Sequence, residues 1–275
     1  MWYEYGRRRR RAVADPELAV RRRNVDTVLL ERGCLRTMLP SISPLFALTP
    51  SPSRHACTQI RGLGAPCRLA LAAAGVDVLD VRVEPGPGAP GTDGYKKMWM
   101  DEAKPSLGAA VPFTNLPFLI DPEGRALVQT RAILRHVGRR FGLLGDDAAA
   151  LDLILDEASD LDDAVTSRCY GNWAGMPAFC KGTLPAKLEA FARHLERNGF
   201  AFMAGSTFSV ADAKVYDLLS KLTIIEASLG TNTLAGNSAL QQYMQRVEQV
   251  PAIAAYLSGG NFLQRPLNNA HAQFK

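Results

Sequence analysis

One stretch, from Asn115 to Gly142, limits the choice of fold more than any other part of the chain. It begins Asn-Leu-Pro and continues as two short apolar runs, Phe118 to Ile120 and Ala126 to Val128. These flank the turn Asp121-Pro-Glu-Gly124, which is the local chemistry of a β-hairpin. A helix follows at once. Ala132, Ile133, Val137 and Phe141 fall at helical spacing, Arg135, Arg139 and Arg140 take the wetter side, and Gly142 is the stop signal. A strand-to-helix junction of this kind points its first free N–H groups, with the hydroxyl of Thr130, at whatever lies in front of it. That arrangement suits a carboxylate.

The residues upstream add a β-α-β opening. Arg61-Gly-Leu-Gly-Ala-Pro66 reads as a turn with proline in the first helical turn, Cys67 to Ala74 as a short helix, Gly75 as its end and Val78 to Val83 as a strand. No clear first strand precedes them, so it is expected to be weak or missing. Glu84 to Tyr95 is rich in glycine and proline and reads as a surface loop. After Gly142-Leu-Leu-Gly-Asp-Asp the chain carries helical patterns and no strands. Ala148 to Thr166 shows a 3-4 stripe of Leu151, Leu155, Ala158, Leu161 and Val165, and Ser209-Val-Ala-Asp212 has capping-box spacing ahead of a helix from Ala213 to Leu222.

On these motifs the chain resembles the cytosolic glutathione S-transferases from Ile60 onward, most closely in the mu-class pattern. Arg61-Gly-Leu-Gly-Ala-Pro-Cys-Arg-Leu is similar to the start of that family's first helix. Cys169-Tyr170 followed by Lys181-Gly-Thr-Leu-Pro-Ala-Lys is similar to its mu-class order, while the intervening Gly171-Asn-Trp-Ala-Gly-Met-Pro departs from it. The resemblance implies an α/β thioredoxin-like N-terminal domain, residues 54–141, followed by an all-α C-terminal domain, residues 148–275. Residues 1–53 stand outside it as a basic extension, read as disordered or weakly helical.

The resemblance also implies a binding site for glutathione as co-substrate and a homodimer acting on electrophilic small molecules in the cytoplasm. Trp99 and Lys104 would meet the glycyl end, although their spacing is one residue longer than the family's. Asn115, Leu116 and Pro117 carry the cis-proline and the backbone that pairs with the cysteinyl amide. Gln129 and Thr130 would hold the γ-glutamyl carboxylate and Asp152, reaching across the dimer, the γ-glutamyl ammonium, with Tyr170 facing the electrophile. Taken alone, each has a plainer reading: Trp99 as partial core, Lys104 and Asp152 as solvated charges, Tyr170 as a buried phenol.

Composition excludes some classes. The net charge of +5 divides unevenly, because residues 1–50 hold ten arginines and five acidic residues and the remainder is balanced at 22 of each sign. A nucleic-acid role therefore rests on the extension alone and ranks last. No apolar run approaches the roughly 20 residues of a membrane span. Five scattered cysteines suit a reducing compartment, and no metal is expected.

Conjugation needs glutathione's thiol, with a pKa of about 8.5 when free, to ionise near neutrality. Where the mu pattern places a tyrosine hydroxyl for this purpose, the chain has Cys57. Cys57 is a weak donor, a candidate for mixed-disulfide chemistry, or a small buried hydrophobe. The leading reading is transfer of glutathione to electrophiles. The alternatives are a non-catalytic relative that keeps the fold for binding and a thiol oxidoreductase that uses Cys57.

Overall fold

Four strands form one sheet in the order β2-β1-β3-β4. They are β1 (Ser53–Cys57), β2 (Val78–Arg82), β3 (Phe118–Ile120) and β4 (Ala126–Val128). The computed structural model describes residues 53–57, 60–83, 88–89, 92–108 and 111–275. The two arginine-rich runs of the extension therefore lie outside the described residues. Ser53, assigned by the sequence reading to that extension, opens the first strand.

β1 is the clearest correction to the sequence reading. It pairs in parallel with β2, from Ser53 against Val78 to Cys57 against Arg82, and antiparallel with β3, from Arg54 against Ile120 to Ala56 against Phe118. Ser-Arg-His-Ala-Cys lacks the apolar run that marks a buried strand, so pattern alone could not find it. Between β1 and β2 runs α1 (Ala65–Ala73), entered through a single 3-10 turn at Gly62–Gly64 and with proline in its first turn. The expected hairpin is present: β3 and β4 pair from Phe118 against Val128 to Ile120 against Ala126, and Gly124 adopts a φ of 81° at the turn. Then comes α4 (Thr130–Phe141), which ends on left-handed Gly142. It buries Ile133, Leu134, Val137 and Gly138 and leaves Ala132 exposed. This is the thioredoxin-like arrangement anticipated from the sequence.

Between β2 and β3 the chain forms α2 (Asp93–Lys97), a π-helical turn (Met98–Ala103) and α3 (Lys104–Gly108). The end of the stretch read as loop is thus helical. Six helices follow: α5 (Ala148–Gly171), α6 (Met176–Gly182), α7 (Leu184–Asn198), α8 (Val210–Leu229), α9 (Ser238–Glu248) and α10 (Pro251–Ser258). α5 and α8 are longer than the sequence patterns suggested, running on to Gly171 and Leu229, and both carry charged residues at buried positions. Asp162 is buried on α5 and Lys214, Asp217, Lys221 and Glu226 on α8.

These buried charges are paired. Lys214 Nζ donates to Asp162 Oδ2 at 2.6 Å and Lys221 Nζ donates to Asp162 Oδ1. Burial opposes the Asp162 charge, but the two ammonium groups outweigh it and hold the carboxyl well below the usual carboxylate range. The capping box forms as expected, with Asp212 wholly buried and accepting from Ser209 N, Ser209 Oγ, Met203 N and Tyr243 OH. Arg61, fully buried, donates to Asp217 of α8 at 3.1 Å and so ties the strand-to-helix junction after β1 to the helical part.

One extended core runs from α1, β3 and α4 through the helices. The opposite face of the sheet has its own small cluster of Val111, Phe118 and Val128, with Trp99, Leu116, Ile120 and Ala126 packed against it. Strand alternation explains the division: Phe118 and Ile120 point one way and Leu119 the other.

Candidate functional site

Ala56, Phe118 and Val128 lie in one row across β1, β3 and β4. The next residue outward on each strand is Cys57, Pro117 and Gln129, so this edge of the sheet collects three of the residues singled out from the sequence. The Leu116–Pro117 bond is cis, as the resemblance implied. Cys57 ends β1, level with Arg82 of β2.

Gln129 is the N-cap of α4 and has φ 72° and ψ 115°, the only positive φ at a non-glycine position among the described residues. Its side chain is exposed and makes no capping bond to the helix it starts. A side chain held at positive φ costs about 1–3 kcal/mol, and such strain concentrates where a ligand is gripped. Thr130 follows in the first turn, with Oγ1 donating to Leu63 O at 2.9 Å. The start of α4 is thereby fastened to the turn that leads into α1.

Across the edge, Leu116 N donates to Asn115 Oδ1 at 2.9 Å. The amide expected to meet a ligand's peptide group is therefore held in the meantime by a side chain one residue away. Trp99 is half-buried in the small cluster with Leu116, which puts the indole on the same edge. Lys104 N donates to Trp99 O, closing the π turn. A π turn accommodates one more residue than an α turn. The extra residue between Trp99 and Lys104 is thus absorbed locally, and Lys104 follows Trp99 by one turn of helix.

Asp152 is exposed and paired within its own chain. It lies on α5 with its carboxylate accepting from Arg135 Nε at 2.6 Å. Arg135 is five residues along α4 from Thr130, or about 7 Å at the helical rise. Asp156 accepts from both Arg131 and Arg135, at 3.1 and 3.3 Å. The two helices therefore run past each other in opposite senses, and exposed Asp160 lies one further turn along α5. The sequence reading passed over Asp160; its signal was the i, i+4 ladder of Asp152, Asp156 and Asp160.

Tyr170 lies at the end of α5, half-buried, and its phenol oxygen accepts from Asn269 N at 3.2 Å. Burial pushes the phenol's pKa up, with the Asn269 N–H acting the other way. The ring of His271 meets that of Tyr95 edge-on at 4.8 Å. Tyr95 belongs to α2, one turn before Trp99, so the aromatic group around Tyr170 adjoins the segment carrying the indole. Arg61 N and Gly62 N donate to Pro266 O and Leu267 O, which fixes residues 266–267 beside the junction after β1.

Among the described residues no group of three or more His, Cys, Asp or Glu side chains is placed to hold a metal ion, and no helix is long and apolar enough to cross a membrane. Cys169 and Cys180 are buried free thiols, and Cys67 is buried too.

Comparison with known proteins gives concordant results. Residues 59–139 match the model of the glutathione S-transferase N-terminal domain and residues 159–260 that of the C-terminal domain. A glutathione S-transferase of Dermatophagoides pteronyssinus is 30% identical over 72% of this chain and 87% of its own length. The glutathione S-transferase class-mu 26 kDa isozyme 1 of Fasciola hepatica is 31% identical over 66% of this chain and 79% of its own. Glutathione S-transferase P of Bos taurus is 34% identical over 59% and 77%. Among solved structures, the pi-class glutathione S-transferase of Onchocerca volvulus superposes with a TM-score of 0.67, covering 81% of this chain and 100% of that one at 24% identity. That last likeness bears on the fold.

Proposed function

Because the chain belongs to the glutathione S-transferase family and is a glutathione transferase, we propose that it grips glutathione along the sheet edge from Trp99 to Thr130 and passes the sulfur to an electrophile beside Tyr170. Lys104 and Trp99 take the glycyl end, and the Leu116 backbone, released from Asn115, takes the cysteinyl amide. Gln129 and Thr130 take the γ-glutamyl carboxylate at the positive end of α4. The γ-glutamyl ammonium takes a carboxylate from α5 of the second copy, Asp152 or a neighbour in the exposed ladder of Asp152, Asp156 and Asp160. The strained backbone of Gln129 carries this reading, since neither helix capping nor side-chain packing accounts for it.

The sulfur attacks the electrophilic carbon as thiolate, the leaving group departs with its electron pair, and the thiol proton goes to solvent. With Cys57 where the mu pattern has tyrosine, the thiol lacks a strong donor and conjugation is slow at neutral pH. The mu-class pattern of residues 61–69 and 169–187 supports a mu-like enzyme. Phe113 and Leu153 are 79% and 55% exposed and give apolar surface for a second copy to cover, so the active form is a homodimer. The buried thiols of Cys169 and Cys180 accord with a cytoplasmic setting.

Glutathione–agarose retention, combined with a pH–rate profile on a one-ring chloronitrobenzene, tests the assignment. The wild-type protein is retained, and Thr130→Ala weakens retention by about tenfold, because it removes the hydroxyl that turns from Leu63 O to the carboxylate. Cys57→Tyr raises conjugation by about 10² and shifts its profile to lower pH. Failure of the wild type to bind glutathione would overturn the site. A folded Cys57→Tyr variant that binds glutathione and gains no activity would remove Cys57 from the sulfur's surroundings.

A further inference from the structure

Residues 266–275 are fastened at both ends and across the middle. Pro266 and Leu267 accept from the junction after β1. At the far end, Gln273 N and Phe274 N both donate to Cys169 O, at 2.8 and 3.1 Å, satisfying a last-turn carbonyl of α5 that has no intrahelical donor. Trp173 N donates to Gln273 Oε1 at 2.9 Å, and Asn268 Nδ2 donates to Phe274 O at 2.9 Å. The rings of Trp173 and Phe274 stack 4.2 Å apart at 10°. Between these anchors the segment presents Asn269 to Tyr170 and His271 to Tyr95, while His271 N and Ala272 N are held by Asn269.

Trp173 belongs to Gly171-Asn-Trp-Ala-Gly-Met-Pro, the stretch in which the sequence departs from the mu pattern. We propose that Trp173 and Phe274 are positioning residues, whose stack latches this segment so that Asn269 and His271 wall the electrophile side against Tyr170 and Tyr95, admitting compact electrophiles in preference to multi-ring ones. The inference rests on the reading that places the electrophile beside Tyr170. The wall spans from α5 to α2, because Asn269 engages the first and His271 the second. With Asn269 N–H on its oxygen, the Tyr170 hydroxyl still has its proton to donate to an oxygen-bearing electrophile. Both stacked rings are half-buried, so the latch is modest and its loss opens the segment without unfolding α5.

The test compares kcat/KM for a one-ring chloronitrobenzene with that for a polycyclic arene epoxide in the wild type, Trp173→Ala, Phe274→Ala, Phe274→Tyr and Tyr170→Phe. A ratio of the two electrophiles cancels any overall slowness of the enzyme. Phe274→Ala and Trp173→Ala should each raise the preference for the multi-ring substrate by about five- to tenfold, the weight of one stacked pair, through the electrophile's KM. The KM for glutathione should stay unchanged, and Phe274→Tyr, which keeps the stack, should keep the wild-type ratio. An unchanged ratio in both alanine variants, with Tyr170→Phe still altering turnover, overturns the latch alone. If Tyr170→Phe also leaves both electrophiles unaffected, the placement of the electrophile falls, and the latch with it.

Discussion

Gln129 stores backbone strain that glycine would not. Because its side chain is exposed, Gln129→Gly gives up no packing and relieves the positive φ, offset in part by the larger entropy of glycine in the unfolded chain. The variant should be more stable by about 1 kcal/mol in urea denaturation while binding glutathione less tightly. A loss of stability would show that the side chain holds the turn together in the absence of ligand. The cis bond at Leu116–Pro117 was legible beforehand through the resemblance that Asn-Leu-Pro carries. The strain at Gln129 was not, since it arises from where β4 stops and α4 starts. Choosing among Asp152, Asp156 and Asp160 was equally out of reach, because a helical period repeats and all three are exposed on α5. The spacing of Trp99 and Lys104 did register as one residue too long, yet only the π turn explains how the chain accommodates it.

α5 and α8 show why helices were easier to find than to delimit. The apolar stripe of α5 was read correctly, and Leu151, Leu155, Ala158, Leu161 and Val165 are all buried. Asp162 sits among them for a reason that lies 52 and 59 residues away, at Lys214 and Lys221. Removing one partner of a buried charge cluster leaves the others uncompensated, so Asp162→Ala should cost about 3–5 kcal/mol. The acid dependence follows with its sign. The folded carboxyl is held below its unfolded value of about 4, so its contribution is complete above that pH and is lost as pH falls below it. Urea midpoints measured from pH 6 down to 3 should therefore fall more steeply for the wild type than for Asp162→Ala. Parallel slopes would show that the cluster is not what acid attacks. β1 was the opposite case, a strand without a pattern, identified by its pairing with two neighbours and not by its own residues.

For the whole molecule, the proposed dimer makes the exposed Phe113 the position to change. Phe113→Asp touches no core and should leave the urea midpoint of the separated subunit unchanged, while sedimentation shifts from two copies to one at micromolar concentration. Retention of the dimer would move the interface elsewhere. Within one copy, Arg61 of the early chain is neutralised by Asp217, 156 residues later, and Asp80 receives Arg265 from 185 residues later, at 2.7 Å. On a ribosome adding about 5–20 residues per second, on the order of ten seconds separates the making of Asp80 from the arrival of Arg265. Within that interval the sheet edge proposed to grip glutathione is made, while the ion pair and the carbonyls of residues 266–267 that close over its junction are still to come. The binding edge is thus among the first parts of the described chain to be synthesised and among the last to be completed.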